Sequence, residues 1–347
     1  MILCTAYPLS RISYGVICRM TKQTFLAKIL FPTAIAVIVS YLLLTQISIR
    51  SIPETLSSLP VLPLVLGFGL YCLFIWTKAL RFREVLRIDR PVGQLLPILA
   101  LYTFWGNILP MRSGDLSYIY LMKRREQIEG TKSIASLMVA SVIDLTLLIS
   151  LMTSIAWMYQ THLNGHLSYA TLYLMPILIG FALIILIATA CIAPGRCIAL
   201  AEGCAKPLLR WKQRHISWFT RKCLVLVHEL TQMRLDLRFA KIWGYSIISL
   251  SLRFGVQCYL MREMSVAVPI VSLLFALAFT NLFNLLPIQS VGNFGTIEAP
   301  FAWALMRFGI PMETALISAF SLHLIILLYA LLLGVYGSVI RKRGTVS

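Results

Sequence analysis

The sequence predicts an all-α polytopic membrane protein, with six full transmembrane helices and two opposed re-entrant helical hairpins arranged as an inverted repeat. Three observations carry that prediction. Apolar residues make up 59% of the 347-residue chain, against 31 basic and 13 acidic ones, roughly half the charged fraction of a soluble domain. They gather in nearly uncharged runs of about 20, the length a helix needs to cross ~30 Å of hydrocarbon. A proline-broken pattern in the first half of the chain also returns in the second. These features exclude a soluble enzyme, a secreted disulfide scaffold and a DNA-binding domain. The net charge of +18 fits cytoplasmic loops and anionic lipid instead of nucleic acid.

The whole chain, 1–347, reads as a single membrane domain. Residues 1–26 are a cytoplasmic segment and not a cleaved signal peptide, because Pro8, Arg11 and Arg19 interrupt its apolar stretch. Six runs are long enough to cross: 27–47, 59–80, 134–159, 169–192, 242–261 and 312–340. The first hairpin, 95–121, begins with an apolar stretch too short to span and stops at Asn107, Ile108, Leu109 and Pro110, followed by the polar tip Met111 to Asp115. The second, 266–308, stops at Asn284, Leu285, Leu286 and Pro287, followed by a glycine-bearing tip. A proline that ends a helix inside an apolar segment marks a re-entrant turn. Between the halves, 194–241 carries Phe219, Cys223, Leu226, Leu230, Met233 and Leu237 at alternating steps of 4 and 3. That is an amphipathic helix lying on the inner leaflet or packed under the bundle.

Basic residues set the orientation. With the amino terminus inside and each hairpin returning to the side it left, 25 Lys and Arg face the cytoplasm, including Arg81 and Arg83, and only Arg50, Arg262 and Arg307 face outward. Lys78, Arg112 and Arg253 remain at membrane depth. Both termini are therefore predicted to be cytoplasmic, in a cell inner membrane.

The two tips align in register. Thr103, Asn107, Pro110 and Ser113 recur 177 residues later as Thr280, Asn284, Pro287 and Ser290, and the predicted topology gives the copies opposite sense. Inverted repeats with broken helices near the midplane are a transporter design. After each tip a short helix begins, with unpaired N–H groups and a positive dipole end. An anionic headgroup meets that need; so does self-capping, with Ser113 or Thr296 as N-cap and Asp115 or Glu298 in the first turn. The predicted substrate contacts are Asn107, Arg112, Asp115, Asn284, Asn293, Glu298 and Arg253.

Asp144, Arg253 and His323 fall near the middle of their spans, where an ionised group costs about 2.5–3.5 kcal/mol on insertion scales and must face the interior. Arg253 is expected to pair with Asp144, or otherwise to contact phosphate. Asp144, Glu298 and His323 are candidates for coupling, and His323 alternatively is a satisfied polar core residue. The eight cysteines show no metal-ligand spacing, so no metal or cofactor is predicted.

Leu109, Pro110, Arg112, Gly114 and Asp115, with Pro287, Ser290, Gly292, Gly295 and Glu298, resemble the signature segments of a flippase-like family, the transmembrane region of lysylphosphatidylglycerol synthase. The resemblance runs from about Lys28 to the end. It implies a multi-spanning module that moves a lipid between leaflets, without the soluble domain that aminoacylates the lipid in the full synthase. Family members often carry arginines where this chain has Ser117 and Tyr118 after Gly114 and Asp115, Ser141 before Asp144 and Ile297 before Glu298, so the resemblance implies a headgroup site poorer in arginine. The expected partner is a membrane lipid, an anionic phospholipid or a polyprenyl-phosphate-linked lipid, with a cytoplasmic lipid-modifying enzyme as a further possible partner. Two rival readings stay open at this level: a membrane enzyme for headgroup or glycosyl transfer, and a non-catalytic partner of such an enzyme.

Overall fold

A computed structural model of the chain describes residues 34, 38, 41–46, 51–57, 59–160, 195, 199, 236–264, 268–285 and 289–340. Among these residues every regular element is helical: α1 (Ser51–Ser57), α2 (Val61–Leu86), α3 (Val92–Ile108), α4 (Gly114–Glu126), α5 (Gly130–Gln160), α6 (Leu237–Glu263), α7 (Ile270–Phe283), α8 (Glu298–Met306) and α9 (Met312–Val339), with a 3₁₀ turn at Val291–Asn293. The runs 27–47 and 169–192 and nearly all of the amphipathic segment 194–241 lie outside the described residues. Among the described residues three helices are long and apolar enough to cross a membrane: α2, the stretch Gly130–Ile155 of α5, and α9. Helix α6 has 27 residues, but Arg238, Lys241, Arg253, Arg262 and Glu263 lower its hydropathy. The lipid-facing character of α2 is visible in exposed Val61, Leu62, Val65, Leu66 and Trp76, since a helix apolar on its outer face needs a nonaqueous neighbour.

Prolines set most boundaries. Pro60, Pro91, Pro269 and Pro311 precede α2, α3, α7 and α9, where a missing N–H costs nothing. Helix α3 ends because Leu109 precedes Pro110 and is held extended at φ −81°, ψ 136°. Asp236 caps α6 by accepting the Phe239 N–H at 3.0 Å.

Helices α3 and α4 form a closed antiparallel hairpin. At its base Arg90 pairs with Glu126 at 2.8 Å; midway the Tyr102 and Tyr118 rings lie 5.3 Å apart. Near the tip a methyl group on Gly114 would lie 2.5 Å from the Gly106 Cα, so only glycine permits that approach. Helices α7 and α8 make the second hairpin, with Phe275 against Phe308 and Phe279 stacked on Trp303 at centroid distances of 5.3 and 4.9 Å. The hairpin helices have 17, 13, 14 and 9 residues, which at 1.5 Å per residue makes the longest about 26 Å and the shortest about 14 Å.

Helix α9 measures both hairpins. Gly337, near its end, sits against Pro97 and Leu101 close to the base of the first hairpin, and Gly334 sits against Phe104. The second hairpin runs through Arg307–Pro311 directly into the start of α9. The two bases therefore lie toward opposite ends of α9, and the tips meet between them: the Met111 N–H donates to the Gln289 carbonyl at 2.8 Å, and Arg112 Nη1 donates to the Leu285 carbonyl at 3.0 Å.

Candidate functional site: a charged cavity at the hairpin junction

A cavity of about 250 Å³ opens where the tips meet, with walls from α2, α5, α6 and α9 as well as both hairpins. Eight of the nine residues implicated by sequence line it. Asn107, Arg112, Asp115, Asp144, Arg253, Asn284, Asn293 and His323 all line it, whereas Glu298 does not.

The first tip holds its own charges. Asp115 accepts from the Tyr102 hydroxyl at 3.0 Å and stands 3.6 Å from Arg112 Nε, while Asn107 Nδ2 donates to the Thr103 carbonyl at 2.8 Å. Ser113 occupies the N-cap position of α4, but its hydroxyl donates back to the Pro110 carbonyl at 2.6 Å and does not cap the helix. On the second tip Ile297, not Thr296, is the N-cap residue. The Thr296 hydroxyl instead donates to the Asn293 carbonyl at 2.9 Å, and Glu298 reaches back to accept the Gly295 N–H at 2.7 Å. That self-capping carboxylate is completely buried and also meets His323 Nδ1 at 2.6 Å.

The expected Arg253–Asp144 pair is replaced. Asp144 is bound by Arg81, a residue that the charge distribution alone puts in a cytoplasmic loop. Helix α2 extends to Leu86, further than the apolar run alone indicates, and carries Arg81 inward. Tyr71, Phe74, Lys78, Arg81 and Phe82 all line the cavity, a 3–4 spacing that marks one helix face. This face is what the sequence reading missed; the periodicity around Lys78 was the signal for it. Ser141 lines the cavity, and Lys78, Arg81, Arg112 and Arg253 surround the same space with Asp115 and Asp144 as the carboxylates among the described lining residues.

With Arg81 engaged by Asp144 and Arg112 near Asp115, Lys78 and Arg253 have no carboxylate partner among the described residues. Lys78 contacts the Thr103 hydroxyl at 3.3 Å and sits 4.5 Å above the centre of the Tyr102 ring. The buried Oδ1 atoms of Asn284 and Asn293, Gln257 Oε1 and His323 Nε2 likewise find no hydrogen-bond partner among the described residues, and all four residues line the cavity. Buried polar groups are seldom left unpaired. These unpaired atoms and the excess of basic over acidic side chains make the cavity a polar, positively charged space inside the helices.

Comparison with curated proteins and with solved structures gives no match. The sequence model described as the lysylphosphatidylglycerol synthase TM region matches residues 29–334, most of the chain including every cavity residue named above, and this membrane protein belongs to that family.

Proposed function

We propose that the protein is a lipid flippase or lipid transporter that moves an anionic phospholipid or a polyprenyl-phosphate-linked lipid between leaflets of the inner membrane. The headgroup passes through the cavity at the hairpin junction while its tails stay in hydrocarbon. One observation carries this reading: cations without carboxylate partners and unpaired polar atoms collect where two broken helical hairpins meet tip to tip. The hairpin helices are too short for comfortable crossing, and their bases face opposite ends of α9. Both facts support two re-entrant elements of opposite sense, an inverted repeat with cytoplasmic termini. Such a pair opens the same site alternately to either leaflet. In this reading no covalent bond is made or broken, and family membership supports a lipid as the cargo.

The test is leaflet exchange of labelled lipids in vesicles reconstituted with the purified protein. Exchange of an anionic lipid is expected from the wild type. Arg253→Gln, in protein confirmed as folded, is expected to slow it about tenfold or more, the worth of one charge-assisted hydrogen bond. Wild-type protein that exchanges no lipid would refute the reading.

A further inference from the structure

Glu298 and His323 form an asymmetric dyad, with His323 in the cavity wall and Glu298 behind it. Glu298 Oε2 accepts the Gly295 N–H and Oε1 faces His323 Nδ1. With the Glu298 carboxylate ionised it can only accept, which puts the proton between them on Nδ1 and leaves a bare lone pair at Nε2 of the neutral imidazole. That nitrogen is buried and without a partner among the described residues. It belongs to the member of the dyad that lines the cavity, while Glu298 stays behind it. A lone pair repels an oxyanion, whereas a proton on the same atom turns it into a charge-assisted donor.

The charged groups that share the cavity with His323 are Lys78 and Arg81 from α2, Arg112 and Asp115 from the first hairpin, Asp144 from α5 and Arg253 from α6, and the titratable Tyr71 and Tyr102 line it as well. From the second hairpin it meets Glu298 and the uncharged Phe294, whose ring centre is 5.0 Å away. Glu298 is thus the only anion in direct contact with the ring among the described residues, and it is placed to balance an imidazolium.

We infer that the anion bound in the cavity arrives with one proton, which leaves water and joins His323 Nε2, so that the protein takes up anion and proton together. Glu298 is a positioning residue: it holds the tautomer that makes the proton necessary. The inference rests on the anion-carrying reading above and adds the ion that is moved with the lipid. No bond other than N–H forms, and the charge carried with each monoanion falls by one unit.

The experiment counts protons. Dioctanoyl phosphatidylglycerol and, separately, sulfate are titrated into the purified full chain by calorimetry in buffers of different ionisation enthalpy. Neither probe itself titrates near neutral pH. The wild type is expected to take up about one proton per anion and to lose affinity roughly tenfold per pH unit once the ring is deprotonated. In Glu298→Gln the amide donates to Nδ1 and moves the ring proton to Nε2, so binding is expected to persist with a count near zero. His323→Gln is expected to bind with a count near zero too, and it carries the test if the Glu298 variant does not fold. A count near zero in the wild type, or an unchanged count in both variants, overturns the dyad. Tighter binding of the lipid than of sulfate identifies a headgroup as the source of the anion; equal binding identifies a free oxyanion, and the proton count decides the dyad in either case. Leaflet exchange measured alongside separates the two ideas. Exchange without proton uptake, or without binding of either probe, overturns this inference alone. Absence of both exchange and binding overturns the transport reading with it.

Discussion

The backbone N–H of Met111 is hydrogen-bonded to the carbonyl of Gln289 at 2.8 Å, joining two hairpin tips that stand 178 positions apart in the chain (111 to 289). This contact, with that of Arg112 on Leu285, closes the wall of the cavity.

Proximity of the tips is directly measurable. In a background lacking the native cysteines, Met111→Cys with Gln289→Cys is expected to crosslink through a short bifunctional reagent in membranes. Labelling of both positions from opposite aqueous faces with no crosslink would mean that the segments are separate spans.

The Arg81–Asp144 pair is a stability element. Arg81 is buried and Asp144 partly exposed, so removing Asp144 leaves the guanidinium without its counterion, at a cost of about 1–3 kcal/mol, below that of a fully buried pair. Asp144→Asn should therefore lower the unfolding midpoint in detergent, and Arg81→Met combined with Asp144→Leu should recover much of the loss. Equal destabilisation by the single and the paired substitutions would contradict a specific pairing.

Two glycines of the first hairpin should respond oppositely to the same methyl group. Gly114→Ala forces the new carbon into the Gly106 backbone and should destabilise by about 1–3 kcal/mol. Gly106→Ala meets nothing within 4 Å and should be neutral or slightly stabilising through helix propensity. Thermal unfolding of the two variants in the same detergent decides the matter.

Arg112 both clasps the tips and faces the cavity. Arg112→Gln should reduce lipid exchange about tenfold or more, since it removes a charge-assisted contact, and should also lower the yield of the 111–289 crosslink. Lysine should restore only part of either, because a point charge lacks the guanidinium fork. Wild-type exchange and crosslinking in the glutamine variant would remove Arg112 from both roles.

Much of this arrangement was legible in the sequence because it depends on strong local signals. Pro110 ends α3 and the apolar runs mark α2, α5 and α9, while the 177-residue register of Asn107 and Asn284 brought the two tips to attention. Side-chain partners were less legible. Arg81 looked like a loop residue because hydropathy stops short of the helix end, and only the extended helix brings it to Asp144. Glu298 looked like a substrate contact because it follows a glycine-rich tip, yet the Gly295 N–H and His323 draw it out of reach of the cavity. Pairing across 25 or more positions is decided by packing, which periodicity in one helix does not encode.

Met111 and Arg112 both hold left-handed backbone angles, φ 57° and 54°, although neither is glycine. Each such residue costs of order 1 kcal/mol or more, and two in succession are kept there by their bonds to Gln289 and Leu285. The first tip is consequently a tensioned latch. Parting from the second hairpin gives up two hydrogen bonds but lets both residues relax to ordinary angles, which narrows the free-energy gap between the latched junction and an unlatched one.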